Sequence, residues 1–322
     1  MPEPPTTVTV VIGGDVLPDG RIGTKIVNGE YGAVLDAAMA ERIRSADVTM
    51  INLETSVSER GEPIADKTYT FRSPPGNLSF LTQWLGVDVV SIANNHTLDY
   101  GWDAFRDTIT NLDEYGIAHI GAGGNIAEAA KAYVAETGGI KIAFFAANQV
   151  LTSTDWAAGT NKAGQLIARE SGNLGALGDA IADVKHECDY IVVYMHWGIE
   201  LDLIPYERQT SVAHALVDAG ADVVIGSHPH VVQSFEYYNG KPIIYSVGNF
   251  LFNALHSETV VIFLRFDTTN SAVTIEAVPA GISGTLTYAL ESDARRRLFD
   301  KWEEISSNVI FHDDGTMAAA GD

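Results

Sequence analysis

The sequence predicts an α/β fold in which two halves of the chain each contribute a β-sheet, the sheets pack together, and helices lie outside. Three observations carry that prediction. Near-continuous apolar runs recur along the first two thirds of the chain, stretches with helical apolar spacing separate several of them, and after Val231 the texture changes to paired β-rich runs. The apolar runs are VTVVIG (8–13), VTMIN (48–52), DVVSIAN (88–94), IAHIG (117–121), IKIAFFAA (140–147), YIVVYMHW (190–197) and DVVIGS (222–227). An apolar run of that length without polar alternation is what a strand covered on both faces requires. Trp102 to Tyr115, Ile126 to Glu136 and Arg208 to Ala219 carry the helical spacing, giving a repeated β-α pattern. Asn239-Gly240 lies between two β-rich runs and predicts a tight hairpin, and TVVIFLRFDTTNSAVTIEAVPAGI predicts another. A helix is expected from about Glu291 to Ser306, and the last residues, TMAAAGD, are expected to fray. No Pro/Ser-rich linker or repeat marks a boundary, so residues 1–322 are expected to form a single domain with its core in 8–280.

Composition narrows the functions. At 46% hydrophobic and 19% charged residues, the chain is globular rather than disordered. Its formal charge of -22, with no basic run longer than Arg295 to Arg297, argues against nucleic acid as a partner. An anionic ligand would need a local cationic site. The single cysteine, Cys188, has no partner for an internal disulfide and no thiol-nucleophile pattern around it. No apolar run reaches the about 18 residues of a membrane-crossing helix. The start, MPEPPTT, lacks the basic and apolar parts of a signal peptide. The literal expectation is a cytoplasmic protein; the alternative is an extracytoplasmic domain whose N-terminal anchor has been removed.

Polar, ligand-type residues cluster just past the ends of the predicted strands, where open α/β sheets bind ligands. VIGGD ends in Asp15, MINLE in Glu54, SIANNH in Asn94, Asn95 and His96, VYMH in His196, and IGSHPH in His228 and His230. Such a set from five strands has the composition of a metal site. Three imidazoles with carboxylates and a carboxamide suit manganese, zinc or iron. Asp15, Glu54, Asn95, His196, His228 and His230 exceed what one tetrahedral ion with an open position uses, so two ions sharing a carboxylate fit better, with a bound water as nucleophile. His96 follows a ligand directly and is placed to protonate a leaving group, with Asp99 to orient it. Lys67, Tyr69 and Arg72 in DKTYTFRSPP are candidates for holding a carboxylate or phosphate. HIGAGGN (119–125) lacks the last glycine of a dinucleotide loop and reads as an ordinary turn. Among the remaining histidines only His256, after the GNFLFN strand end, is expected near the cleft.

The motifs GGDVLP, INLET, YTFRSPP, SIANNHTLDYG, YMHWGIE, GSHPHVVQ and IIYSVGNFLF, in this order from Val8 to about Ala280, resemble the poly-gamma-glutamate capsule-synthesis (CapA-like) family, a branch of the calcineurin-like metallophosphoesterases. The resemblance implies a four-layer α-β-β-α sandwich with a dinuclear site at one edge. It gives Asp15 as the first ligand and Glu54 as the bridging carboxylate. Asn95 is the ligand of the Asn-His motif, His96 the catalytic histidine, and His196, His228 and His230 the remaining ligands. Leu17 stands where metallophosphoesterases place a histidine, which leaves one metal position a ligand short. The function expected is a metal-dependent hydrolase acting on an amide, γ-glutamyl or phosphoester substrate, anionic or peptide-like, linked to poly-gamma-glutamate metabolism. Two alternatives stand beside it: a metal-assisted peptide epimerase, and a non-catalytic metal-stabilised subunit of a polymer-synthesis complex.

Overall fold

The computed structural model describes residues 7–169, 174–269 and 272–321, with backbone alone for 254–256. Alternation along its strands explains why the apolar runs look continuous. In the strand Thr7–Val16, Val10 and Ile12 face one apolar cluster while Val11 faces another. In Tyr190–His196, Val192 and Tyr194 share the cluster of Val10, whereas Ile191, Val193 and Met195 face a third. Both sheets are therefore covered on both faces.

The first sheet has ten strands. Parallel pairs join Thr7–Val16 to Val48–Leu53, Val48–Leu53 to Val89–Ser91, and Val89–Ser91 to Ala118–Ile120. On its other side Thr7–Val16 pairs antiparallel with Ala254–Asp267, which pairs with Val273–Gly284. The second sheet has six strands, with Tyr190–His196 between the parallel strands Ile140–Asn148 and Val223–Ser227. The cluster between the sheets draws Met50 and Val89 from one and Phe144 and Ile225 from the other. Helices Ala37–Arg44 and Gly101–Glu114 cover the outer face of the first sheet through Ile43 and Phe105. Leu174–Val184 and Glu207–Ala219 cover the second through Ile181 and Leu216. The layers run helix, sheet, sheet, helix, as the sequence predicts.

The predicted Asn239-Gly240 turn joins Phe235–Tyr238 to Lys241–Ile244, with φ of 49° and 72° at its two residues, as a two-residue hairpin of this twist demands. The turn of the second hairpin, at 270–271, lies outside the described residues.

Three expectations are corrected. The helix expected over Ile126 to Glu136 stops at Ala129, and Tyr133–Thr137 pairs antiparallel with Ile140–Asn148. Gly138-Gly139, both at positive φ, is a hairpin signal that outweighs the helical spacing before it. The tail does not fray: Thr316–Ala319 is a strand paired with Val309–Phe311 and with Val273–Gly284. The core also extends beyond Ala280, because the helix Ser292–Ile305 sends Leu298, Phe299 and Trp302 into the inter-sheet cluster, where Phe311 and Met317 join them.

Candidate metal centre

The strands Thr7–Val16, Val48–Leu53 and Tyr190–His196 end at one edge, with the loops after Val89–Ser91 and Val223–Ser227, and bring their end residues together. Asp15, Glu54, Asn95, His96, Asp99, His196 and His228 are buried there, and His230 is half-buried. Local backbone explains the approach. A Cβ on Gly14 would sit 1.9 Å from the carbonyl oxygen of Gly248, so only glycine lets the first strand bend in beside Gly248. Gly226 permits a close approach of its own. It lies within Val223–Ser227, and a Cβ there would meet the Tyr245 carbonyl at 2.1 Å and the Trp197 indole nitrogen at 2.2 Å. The turn itself is made by the histidines, with φ of 98° at His228 and 57° at His230. Such backbone is costly for a β-substituted residue and concentrates at functional sites.

Glu54 is the hub. The Nε2 atoms of His96 and His196 lie 3.8 Å from its Oε1, and that of His230 lies 3.9 Å away. His230 Nδ1 is 3.4 Å from Asp15 Oδ2, and His196 Nδ1 is 3.9 Å from Asp15 Oδ1. Asn95 Oδ1 meets His196 Nε2 at 2.7 Å. Both Glu54 oxygens and His228 Nδ1 are buried without a hydrogen-bond partner among the described residues. Burying a carboxylate with nothing to accept from is expensive, and a cation among the donors removes the cost. Two ligands on one divalent ion lie roughly 3 to 3.5 Å apart, and the separations here are only slightly wider. Glu54, His228 and His230 also form a set with ligand atoms within 4.8 Å of one another. The donor set thus fits a divalent ion.

The electrostatics point the same way. Burial, then repulsion by Asp15, pushes the Glu54 carboxyl well above its usual range. Burial opposes ionisation of Asp15 too, yet His230, His196 and Asn52 hold its carboxyl well below the usual range. Burial opposes a charge on His230, but Glu54 and Asp15 push it up to about 10. Burial and the charge of His230 bring His228 down to about 3, and burial with His228 lowers His196. The neutral imidazoles of His196 and His228 are in the form that ligates metal.

His96 has its own support. Its Nδ1 lies 2.6 Å from Asp99 Oδ2, its ring stacks on Phe71 at 4.2 Å, and its backbone N–H donates to Asn94 Oδ1 at 3.0 Å. Asp99 Oδ2 also accepts from Phe71 N at 2.8 Å, and Asp99 Oδ1 accepts from Lys67. Asp99 thereby fixes Nδ1 as the protonated nitrogen and leaves Nε2 toward Glu54.

Among the residues expected to hold an anion, Lys67 reaches the cluster, but as a brace: it donates to Asp99 and the Asn95 carbonyl and lies 3.1 Å from His96 Nδ1. Arg72 donates to the carbonyls of Arg60 and Gly61 and lies 4.3 Å over the Tyr100 ring, so its guanidinium is taken up by its own loop. Tyr69 stands in solvent, 70% exposed. The side chain of His256 lies outside the described residues. Two residues were missed. Asn52 donates to Asp15 Oδ1 at 2.8 Å and lies 3.3 Å from His196 Nδ1. Asn249, in register with Asp15, places Oδ1 at 2.8 Å from His230 Nδ1. The signal for Asn52 was a carboxamide in an otherwise apolar buried run, and for Asn249 a Gly-Asn pair at a strand end. Leu17 is buried and gives the cluster no ligand.

A four-layer sandwich of two such sheets with helices outside defines the class, a metallophosphoesterase-like fold. Solved structures agree on the fold. A hypothetical protein from Thermus thermophilus superposes with a TM-score of 0.50 at 15% identity, over 84% of this chain and 99% of that one. NAD nucleotidase of Haemophilus influenzae gives 0.50 at 11% identity, over 94% of this chain and 57% of that one. Within this class the chain belongs to the bacterial capsule synthesis protein PGA_cap family, which matches residues 9–254. The PGA biosynthesis protein CapA of Bacillus subtilis (strain 168) is 31% identical over 74% of this chain and 62% of its own length. The capsule biosynthesis protein CapA of Bacillus anthracis is 31% identical over 76% and 60%. A probable polyglutamine synthesis accessory protein of Mycobacterium tuberculosis is 33% identical over 64% and 55%. The chain therefore spans between 55% and 62% of the length of these relatives.

Proposed function

We propose that this chain is a metal-dependent hydrolase acting on an amide or γ-glutamyl bond, or a phosphoester, of a substrate linked to poly-gamma-glutamate metabolism. The observation that carries the reading is Glu54: two buried, unpartnered carboxylate oxygens ringed by imidazole nitrogens, with the braced His96 at the same oxygen. Glu54, Asn95, His196 and His228 would hold one ion, and Asp15 and His230 with Glu54 a second; manganese, zinc and iron suit these donors. When bound, such ions polarise the scissile group and acidify a water. His96 Nε2 takes a proton from the attacking water and returns it to the leaving amine or oxygen. Asp99 steadies the imidazolium formed, and Lys67 holds Asp99. The name of the Bacillus subtilis relative supports the link to PGA biosynthesis, and that of the Mycobacterium relative, an accessory protein of polyglutamine synthesis, supports a place beside a polymer-synthesis complex.

The test is turnover of γ-glutamyl-p-nitroanilide and bis(p-nitrophenyl) phosphate by manganese-loaded protein. His96→Ala is expected to slow turnover by about 100-fold to 10,000-fold with metal content unchanged. A His96→Ala protein as fast as the parent contradicts the role of His96. Deuterium uptake at Cα of a γ-glutamyl peptide without cleavage would replace hydrolysis by epimerisation.

A further inference from the structure

We infer that the groove beside the metal centre binds the non-reacting part of the substrate, and that this part is an apolar-bodied, acid-terminated peptide whose carboxylate lies at Arg297. The inference rests on the hydrolase reading for the reacting end alone. The groove has a volume of about 850 Å³ and is lined by His230 and Asn249, so it opens directly from the centre. That volume suits a molecule of a few residues.

Its walls are largely apolar, with Leu203, Val232, Ile282, Leu290, Leu298 and Trp302 among them. The helix Ser292–Ile305 borders it with Ala294, Arg297 and Lys301, while Leu298 and Trp302, buried in the inter-sheet cluster, lie at its floor. Lys301 is neutralised by Glu258 at 2.6 Å. Arg297 is exposed and has no hydrogen-bond or ion-pair partner among the described residues. In a chain of net charge -22, an unpaired guanidinium beside an apolar groove is a receptor for a carboxylate.

The rim is built, not loose. Leu201, 71% exposed and at a φ of 65°, donates its N–H to the Pro229 carbonyl at 2.8 Å, and Gln233 donates to the Asp202 carbonyl at 2.9 Å. The loop carrying Leu201 and Leu203 is thus pinned to the His228-Pro229-His230 turn. A run of glutamates laid along these walls would lose hydration at each carboxylate and find, among the described residues lining them, one free cation. Apolar residues next to the reacting bond, with a single terminal carboxylate, match both walls and charge.

Calorimetric binding to the full, manganese-loaded chain tests this with γ-glutamyl-leucyl-phenylalanine, its C-terminal amide, and γ-glutamyl-glycyl-glycine. The free acid is expected to bind about tenfold more tightly than either of the others. Arg297→Ala should abolish the preference for acid over amide and keep that for Leu-Phe over Gly-Gly; Leu203→Asp should do the reverse. Both positions are at the surface, and an unchanged Tm shows the fold is kept. Equal binding of the three peptides, no binding, or a preference untouched by both substitutions would overturn the inference. Selective binding without cleavage supports the groove and removes the hydrolase reading; cleavage without selectivity does the opposite.

Discussion

The two sides of the candidate metal centre are built differently. On the Asp15 side the carboxylate is paired: Asn52 donates to one Asp15 oxygen, the backbone N–H of His228 donates to the other at 3.2 Å, and His230 Nδ1 lies against Asn249. On the other side both Glu54 oxygens and His228 Nδ1 are buried with no hydrogen-bond partner among the described residues. Without an ion the first side is satisfied and the second is not, so an ion entering beside Glu54 and His228 relieves a cost, whereas one entering beside Asp15 must first displace hydrogen bonds. Leu17 deepens the asymmetry, since it puts a buried apolar side chain two residues from Asp15.

The largest test of that contrast is substitution on each side. Glu54→Gln should weaken manganese binding more than about 100-fold, because it removes the buried carboxylate on the unsatisfied side, whereas Asn249→Ala, which only loosens the His230 ring, should cost about tenfold. Titration calorimetry on the two variants checks this, and equal losses would break the comparison. The Glu54→Gln protein should also be more stable than the parent when both are metal-free, since a neutral amide replaces a carboxyl whose ionised form burial opposes.

A smaller effect is the pH dependence of metal binding. The pKa values of Glu54 and His230 are both raised in the folded protein, that of His230 to about 10. Each group therefore favours the metal-free fold at low pH, and that contribution is lost as pH rises through its folded value. Because an ion must displace these protons, apparent affinity should rise by up to about tenfold per pH unit for each proton released, over the range below pH 10. Proton release measured in two buffers of different ionisation enthalpy reads the number directly; none released at pH 8 would contradict the assignment. The smallest effect belongs to Arg72→Ala, which should leave metal affinity and turnover within about twofold, because its guanidinium serves the 60–61 backbone.

Most of the centre was legible because of where chemistry sits in a buried sheet. When a strand is apolar from end to end, the first Asp, Glu or His after it marks the edge, and Asp15, Glu54, His196 and His228 follow that rule. The residues that hold those side chains were harder to see. Asn52 works from inside a strand, and Asn249 is matched to Asp15 only by a parallel register that appears when Asn249–Leu251 docks beside Thr7–Val16. Arg72 misled because closeness in sequence to Glu54 says nothing about direction; pairing of Ser56 with Arg72 places it in a two-stranded ladder, alongside the loop whose carbonyls it bonds. The C-terminal strand was hidden because Met317 is buried by pairing with Ile275, over 40 residues back, a contact that local composition cannot encode.

The most direct measurement is the metal content of the purified protein, with anomalous scattering at the iron, manganese and zinc edges from a crystal. A divalent ion should lie between Glu54 and His228, at higher occupancy than any ion beside Asp15, and added manganese or zinc should raise the Tm. No bound metal, with a Tm indifferent to both ions, would contradict the assignment of this cluster as a metal centre.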